Sequence, residues 1–282
     1  MKIKLNLKYR TWYKGSAPKS IKLEIPGWSG EHNSHKNGDI PQPWHCPPFV
    51  EGSTYGLELC YPFDTEARIT LENGKLKVEG DFSKESEECG VDLPPFKSFT
   101  PTHFGMTSSV DIKVPNGYVL RTEPHPRFFT DTTNTVPCCL TGHLQTDWWP
   151  KVFFVVFKNP IEGQTLIFRK DEPYVQILII PKKISYDIKE MTSSEINERL
   201  LNDDKIGKYA RNFVRNDWRD NSGQKFDDKY KVLSGVVAKY GPNSIRSFVE
   251  SVEEKVEKNK KFSRRLLIKR KNEIVQDKEK EV

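Results

Sequence analysis

The stretch Thr141–Pro181, TGHLQTDWWPKVFFVVFKNPIEGQTLIFRKDEPYVQILIIP, decides the fold class of this chain. It contains three apolar runs rich in β-branched and aromatic residues, Val152–Phe157, Thr165–Phe168 and Tyr174–Ile180. Each run is short and is bounded by Gly, Pro or Asn, which is typical of buried strands rather than helices. The stretch therefore predicts core strands of a β-sandwich.

A polar segment, Gly142–Asp147, lies directly before Trp148 and Trp149 in the same stretch. In a strand that enters a turn, His143 and Asp147 share one face of the sheet. Such a pair could act as a general acid or base, because the carboxylate fixes the imidazole tautomer. The alternative is that Asp147 caps the turn and His143 is a surface residue. This segment does not by itself specify a reaction.

Short alternating segments recur through residues 1–184: Lys2–Tyr9, Ser20–Ile25, Thr54–Cys60, Ala67–Leu71, Lys75–Val78, Val110–Val114 and Tyr118–Arg121. Asn73-Gly74 and Asn116-Gly117 lie between neighbouring segments and predict two type I′ hairpins. Many short strands with such turns indicate a β-sandwich, jelly-roll or cupin-like, as the first domain. Two stretches, Gly27–Phe49 and Asp81–Phe104, lack the alternation and are predicted to be long irregular loops.

Residues 185–282 predict a helical C-terminal region with a basic terminal helix. Thr192–Glu195 is a capping box, a second helix should run from Asp227 or Asp228 to Tyr240, and a third should begin near Ser244. The third helix has an apolar stripe: Ile245, Phe248, Val249, Val252 and Val256. It continues into Lys258–Lys271, which has eight basic residues and no acidic one. That segment could contact nucleic acid, a membrane surface or an acidic partner, or could be a solvated helix end.

The composition indicates a folded protein, because the 282 residues include 16 Phe, 10 Tyr and 6 Trp. The five cysteines form no C-x-x-C pair, so a structural zinc site is not expected. Residues 1–13 alternate like a strand and do not resemble a signal peptide, and no apolar run is long enough to span a membrane. We expect a cytoplasmic protein with reduced thiols and no membrane partner.

A metal-dependent oxygenase is the first enzyme class to test, since six histidines lie in the β-rich part. Its iron site needs two histidines and one carboxylate around an open position. No histidine here is followed at the second position by Asp or Glu, and no H-x-H pair occurs. A metal ion, if bound, would therefore have a non-standard and unknown set of ligands. The usual nucleotide-binding and α/β-hydrolase motifs are also absent from the sequence.

Two further groups could contact a ligand or act in catalysis. Arg121 at a strand end could hold a carboxylate or phosphate, although a salt bridge to Glu123 or Asp131 would also explain it. Cys138-Cys139 could supply a thiolate nucleophile if a base such as His125 lay beside it, but buried inert thiols are commoner.

The β-rich part resembles an uncharacterised bacterial and phage family, domain of unknown function 6065. The resemblance covers roughly residues 40 to 181 and lies in short phrases in order: Cys46-Pro47-Pro48-Phe49, His103-Phe104-Gly105, Leu120-Arg121-Thr122, Gly142 through Asp147-Trp148, and Phe168 through Asp171-Glu172-Pro173 with a closing Ile180-Pro181. It implies no reaction, but it singles out His103, Arg121, Asp147 and Trp148. His143 departs from the family, in which its position is usually apolar. If the chain is phage-encoded, its compartment is the host cytoplasm.

Three functions follow as hypotheses. The first is a small-ligand or catalytic pocket at one end of the sandwich, with His103, Arg121 and Asp147 as catalytic candidates and Trp148 and His125 as ligand-binding ones. The second is a non-catalytic, phage-associated protein that docks a protein partner through its C-terminal helices. The third is nucleic-acid binding through the basic helix.

Overall fold

The computed structural model describes residues 4–21, 47–215, 217–219, 223 and 225–280, without the side chains of residues 130, 218, 225 and 266–280. The described chain divides into a β-rich unit that ends at Tyr186 and a helical unit that begins at Asp187. The sequence therefore changes from strands to helices at the point where one compact unit gives way to the next.

The β-rich unit contains the following strands: β1 (Lys8–Thr11), β2 (Lys19–Ser20), β3 (Leu57–Cys60), β4 (Ala67–Glu72), β5 (Lys75–Glu79), β6 (Phe96–Thr100), β7 (His103–Thr107), β8 (Val110–Lys113), β9 (Tyr118–Glu123), β10 (Gly142–Leu144), β11 (Phe154–Lys158), β12 (Leu166–Phe168) and β13 (Pro173–Pro181). Its helices are short: α1 (Pro47–Ser53), α2 (Ser83–Cys89) and α3 (Arg127–Thr130).

The strands form antiparallel sheets around one apolar core. A five-stranded sheet has the order β10-β9-β13-β3-β2, two three-stranded sheets have the orders β11-β7-β6 and β12-β4-β5, and β1 pairs with β8. Phe104, Phe157 and Ile177 lie fully buried in the core that these sheets share. The predicted mainly-β sandwich with a helical C-terminal region is confirmed; its jelly-roll or cupin-like topology stays a prediction.

The three apolar runs of the opening stretch became β11, β12 and β13. The longest, β13, lies between β9 and β3 in the five-stranded sheet and therefore has a partner on each side. Central strands of this kind are buried on the core face, which explains why Val175 and Ile177 have no exposed surface.

One segment, Cys138–Leu144, connects two sheets, and we call it the shared strand. In its first half, the Lys158 amide donates to the Cys138 carbonyl (3.2 Å) and the Leu140 amide donates to the Val156 carbonyl (2.7 Å). Its second half is β10, which pairs with β9. The same run of chain thus bonds first to the β11 sheet and then to the five-stranded sheet.

Only one of the two predicted hairpins forms. Asn73 and Gly74 both have left-handed backbones (φ 51° and 74°), as a type I′ turn requires, and β4 pairs with β5. The Asn116-Gly117 hairpin is wrong, because β8 pairs with β1 while β9 pairs with β10 and β13. Gly117 alone of that pair is left-handed, so the turn carries the chain between sheets instead of reversing it within one.

The predicted irregular loop Asp81–Phe104 is also wrong, since it contains α2, β6 and the start of β7. The Asp81 carboxylate accepts hydrogen bonds from the Ser83 amide (3.1 Å) and hydroxyl (2.7 Å) at the start of α2, and the left-handed Gly90 ends that helix. These local caps act without hydrophobic periodicity, which is why alternation did not reveal the helix. The other predicted loop, Gly27–Phe49, lies outside the described residues except for the start of α1.

The helical unit contains α4 (Ser193–Tyr209), a 3-10 helix (Ala210–Asn212), β14 (Asp217–Arg219) paired with β15 (Lys225–Asp227), α5 (Lys229–Tyr240) and α6 (Ser244–Lys280). The capping box is confirmed: the Glu195 amide donates to Thr192 Oγ1 (3.3 Å), and the Thr192 amide donates to Glu195 Oε2 (2.7 Å). Tyr209 of α4 forms a small core with Val249 and Val252, which belong to the predicted apolar stripe of α6. None of the helices described here is long and apolar enough to cross a bilayer.

Candidate functional site

Arg121 lies on β9 opposite His143 of β10. Its guanidinium donates a hydrogen bond to the Glu123 carboxylate and lies 3.5 Å from His143 Nε2. Glu123 also accepts a hydrogen bond from the Thr141 hydroxyl (2.8 Å). The salt bridge to Glu123 therefore largely balances the charge of Arg121, which reduces its capacity to hold an anionic ligand.

His125 is buried, with 2% of its surface exposed. Its Nδ1 accepts a hydrogen bond from the Arg127 amide (3.2 Å), so the proton is on Nε2, which donates to Glu58 Oε2 (3.3 Å). Burial lowers the pKa of His125 and so favours this neutral form. Because both ring nitrogens are bonded inside the protein, these contacts support a structural role.

Glu58 belongs to a row of polar residues that crosses three neighbouring strands. In the sheet register it lies opposite Gln176, which lies opposite Glu123. Gln176 is buried and its amide donates to the carbonyls of Tyr55 (2.7 Å) and Gly52 (3.2 Å), which holds α1 and the following turn on the sheet. The sequence signal was present, because Gln176 is the one polar residue in the run Tyr174–Ile180.

Three of the four described cysteines are not activated as nucleophiles. Burial raises the pKa of Cys60 to about 11, with the nearby Glu58 carboxylate adding to the effect. Burial also raises the pKa of Cys138 and, more strongly, of the buried Cys139. Thiolates are the reactive form, and these three thiols are protonated at neutral pH.

His103 begins β7 and pairs with Lys158 of β11. Its Nδ1 lies 2.8 Å from the Thr102 hydroxyl. The next two residues of the motif His103-Phe104-Gly105 have packing roles. Phe104 is in the core, and a Cβ added at Gly105 would lie 2.1 Å from the ring of Phe99. Close packing alone therefore accounts for Phe104 and Gly105.

Asp147 lies at the opposite end of the β-rich unit from His103 and His125. Its Oδ2 is 3.8 Å from Lys182 Nζ, and the Lys182 amide donates to the Gly117 carbonyl, at the beginning of β9. His125 follows the other end of β9, roughly 17 Å away at the rise of an extended strand. His103 pairs with Lys158, whose amide donates to the carbonyl of Cys138 at the far end of the shared strand. The structure joins Arg121 and His143 but does not bring His103, His125 and Asp147 together.

Asp147 and Trp148 belong to a tight turn, Gln145–Pro150, which we call the tryptophan turn. The Trp149 amide donates to the Gln145 carbonyl (3.2 Å), and Trp148 Nε1 donates to Gln145 Oε1 (3.1 Å). The two indoles meet edge to face, with centroids 5.6 Å apart and planes at 83°. Trp148 is nevertheless 63% exposed and Trp149 is 40% exposed.

Two buried oxygen atoms in this turn have no hydrogen-bond partner among the described residues. They are Thr146 Oγ1 and Asp147 Oδ1, and Thr146 is only 2% exposed. Most buried polar atoms in folded proteins are hydrogen-bonded, to protein or to ordered water. Both atoms are closed off from solvent, so they can bond to an internal water, and a surface ligand reaches them only when the turn shifts.

Strand β1 adds a third indole and a cation next to the turn. Arg10 donates to the Pro150 carbonyl (2.6 Å) and to Asp111 (2.9 Å), and its guanidinium lies 4.8 Å from the ring centroid of Trp12. Lys151 Nζ lies 5.7 Å from the Trp149 ring. We call this surface the tryptophan patch; it consists of Arg10, Trp12, Trp148, Trp149 and Lys151. Sequence reasoning missed Arg10 and Trp12 because only the β1–β8 pairing brings them to the turn.

A metal centre is not supported within the part of the chain that the structure describes. There, no three side chains of His, Cys, Asp or Glu come close enough to hold a metal ion. His32, His35 and His45 lie outside the described residues.

Comparisons with known proteins identify no family for the chain. No protein-family model matches it, and no curated protein matches it. Among solved structures it is similar to the native EIAV dUTPase (TM-score 0.32, 11% identity, 66% of this chain and 100% of that one) and to a mutant dUTPase from phage phi11 of S. aureus (TM-score 0.32, 11% identity, 67% and 97%). Another is the Staphylococcus bacteriophage 80alpha dUTPase (TM-score 0.24, 13% identity, 46% and 100%). These values are too low to support an argument about fold or function.

Proposed function

We propose that the β-rich unit binds a small ligand with a flat or ring-shaped face at the tryptophan patch. The observation that carries this proposal is the exposure of Trp148 beside buried, unpartnered oxygens of Thr146 and Asp147. Covering a large exposed indole with a ligand ring removes apolar surface from water and so stabilises the complex. Adjacent polar atoms then fix the orientation of that ligand.

The charges of the patch suggest a neutral or singly negative ligand. Asp111 balances Arg10, and Asp147 lies 3.8 Å from Lys182, so Lys151 is the cation left without a carboxylate partner among the described residues. When the turn shifts to admit a ligand, the unpartnered oxygen of Asp147 can accept hydrogen bonds from hydroxyl or amino groups. A hydroxylated ring compound, such as a nucleoside or a pyranose sugar, meets these requirements.

Binding is favoured over catalysis in this proposal. The three catalytic candidates, His103, Arg121 and Asp147, lie on separate parts of the β-rich unit, and an oxygenase would need a group of metal ligands that the described residues do not form. We also propose that the chain belongs to the family of domain of unknown function 6065, in which Asp147 and Trp148 would be pattern positions of a ligand site. Docking of a protein partner by the C-terminal helices stays a prediction from sequence.

The direct test is a titration of the full chain with nucleosides and pyranose sugars, in which binding is measured by ligand-detected NMR. We expect saturation transfer to at least one ring compound. Replacing Trp148 by Ala should weaken that binding by about tenfold or more, because stacking on an aromatic ring contributes roughly 1–3 kcal/mol. Asp147→Asn should weaken it less, since the amide oxygen still accepts a hydrogen bond.

Phe129→Ala is the matched control. Phe129 is an aromatic residue of α3 that is 67% exposed and lies outside the patch. Its removal should leave binding unchanged. Equal binding by the Trp148→Ala variant, or no binding of any ring compound, would refute the proposed function.

A further inference from the structure

Nearly all of the net charge lies in the helical unit. Residues 187–282 contain 23 of the 45 lysines and arginines but only 18 of the 39 acidic residues, so five of the six net positive charges are there. A local excess of this kind attracts polyanions and accelerates their encounter with the protein.

The excess is concentrated on the second half of α6. Lys258 and Lys260 are paired with Glu254 (3.9 Å) and Glu257 (2.9 Å) on the same helix. Lys261, Arg264 and Arg265 are exposed and have no carboxylate partner among the described residues. The backbone remains helical through Lys269, Arg270 and Lys271, which extend the basic sequence.

The 3-10 helix brings further groups to the same surface. A shallow groove of about 410 Å³ lies between it and α6, lined by Asn212, Val256, Asn259, Lys260, Ser263 and Arg264. Arg211, the neighbour of Asn212, lines a second cleft whose other charged residues are Arg215, Lys229, Asp217 and Asp227. The groove itself therefore presents two cations of α6, Lys260 and Arg264, beside amide and hydroxyl groups.

We propose that this basic groove binds the sugar–phosphate backbone of a nucleic acid. Arginine guanidinium groups form paired hydrogen bonds with phosphate oxygens, and Asn and Ser side chains bond to phosphate and sugar oxygens. An anionic lipid surface fits less well, because a helix that binds a membrane surface inserts an apolar face. Between residues 257 and 265, Phe262 is the single large apolar side chain, and it is exposed. The contacts are to the backbone, so binding carries no base specificity.

The test uses fluorescence anisotropy of the full chain with a labelled single-stranded oligonucleotide and a duplex of the same length. Between about 50 mM and 200 mM salt, we expect the logarithm of the affinity to fall with the logarithm of salt concentration at a slope of about −3 or steeper. The double variant Arg264→Gln, Arg265→Gln should bind more weakly and reduce the magnitude of that slope by about 2.

Arg246→Gln is the control, because it removes one charge from the same helix about 27 Å from Arg264. Its i,i+4 partner is Glu250, and its loss should leave nucleic-acid binding unchanged. Absence of binding at low salt would overturn the proposal, as would equal losses in the control and the double variant. Stronger binding to vesicles of phosphatidylserine than to either nucleic acid would instead assign the groove to a lipid surface.

Discussion

His125 and Glu58 form a buried pair whose contribution to stability depends on pH. Burial lowers the pKa of His125 in the folded protein below its ordinary value of about 6.5. As pH falls, the unfolded chain therefore takes up a proton before the folded protein does. The contribution is complete above about pH 6.5 and decreases as pH falls from there towards the folded pKa.

We predict that His125→Gln makes stability less sensitive to acid. In urea unfolding, the wild-type chain should lose up to about 1.4 kcal/mol per pH unit from this group below about pH 6.5. The variant keeps an amide donor for Glu58 but has no titrating ring, so its curve should be flatter there. Identical pH dependence in both proteins would show that His125 does not titrate differently on unfolding.

At the scale of single residues, the sequence identifies some candidate site residues but does not predict which of them lie close together. Asp147 and Trp148 could be singled out because a polar cluster next to two tryptophans is unusual in a core strand region. The separation of His103 from Asp147 could not be predicted, since it depends on strand pairing between residues far apart in the chain. Likewise, the partner of Arg121 could be proposed from sequence as Glu123 or Asp131, but only the fold selects Glu123.

At the scale of elements, local signals succeeded where all the determinants lay within a few residues. The capping box at the start of α4 and the end of α5 at Tyr240 formed as predicted. The Asn116-Gly117 turn differs, because the same dipeptide suits a hairpin or a crossing between sheets. The pairing partner of β8 decides the outcome, and that partner is β1, about a hundred residues away in sequence.

Thr192→Ala should destabilise α4, because it removes the hydroxyl that accepts the Glu195 amide and leaves one side of the capping box. The loss should be about 1 kcal/mol in the helical unit, measured by thermal unfolding monitored by far-UV circular dichroism. Ser193→Ala, one residue later and exposed, should have little effect. Equal destabilisation by both substitutions would contradict a specific capping role.

For the molecule as a whole, the two cores predict two separate responses to mutation. Phe104 is fully buried in the core of the β-rich unit, whereas Val249 and Val252 belong to the core of the helical unit. Phe104→Ala should cost about 3–5 kcal/mol of stability in the β-rich unit. Hydrogen exchange followed by mass spectrometry should show faster exchange in β9 and β13.

The same experiment should leave amide exchange in the first half of α6 unchanged. Val249→Ala is the reciprocal variant and should accelerate exchange in α4 and α6 while β13 stays protected. If either variant accelerates exchange in both units to the same extent, the two cores unfold as one cooperative body and the prediction fails.

The shared strand limits how this protein can change during evolution. Its first half is held in register by β11 and its second half by β9, with Thr141 alone between them. Inserting or deleting one residue there would turn every side chain of one half to the opposite face of its sheet. The tryptophan turn is the continuation of this strand, so its position relative to both sheets is fixed as well. If the turn binds a ligand as proposed, exchanges of side chains in the turn alter ligand preference, whereas a change of length in Cys138–Leu144 would be eliminated as a folding defect.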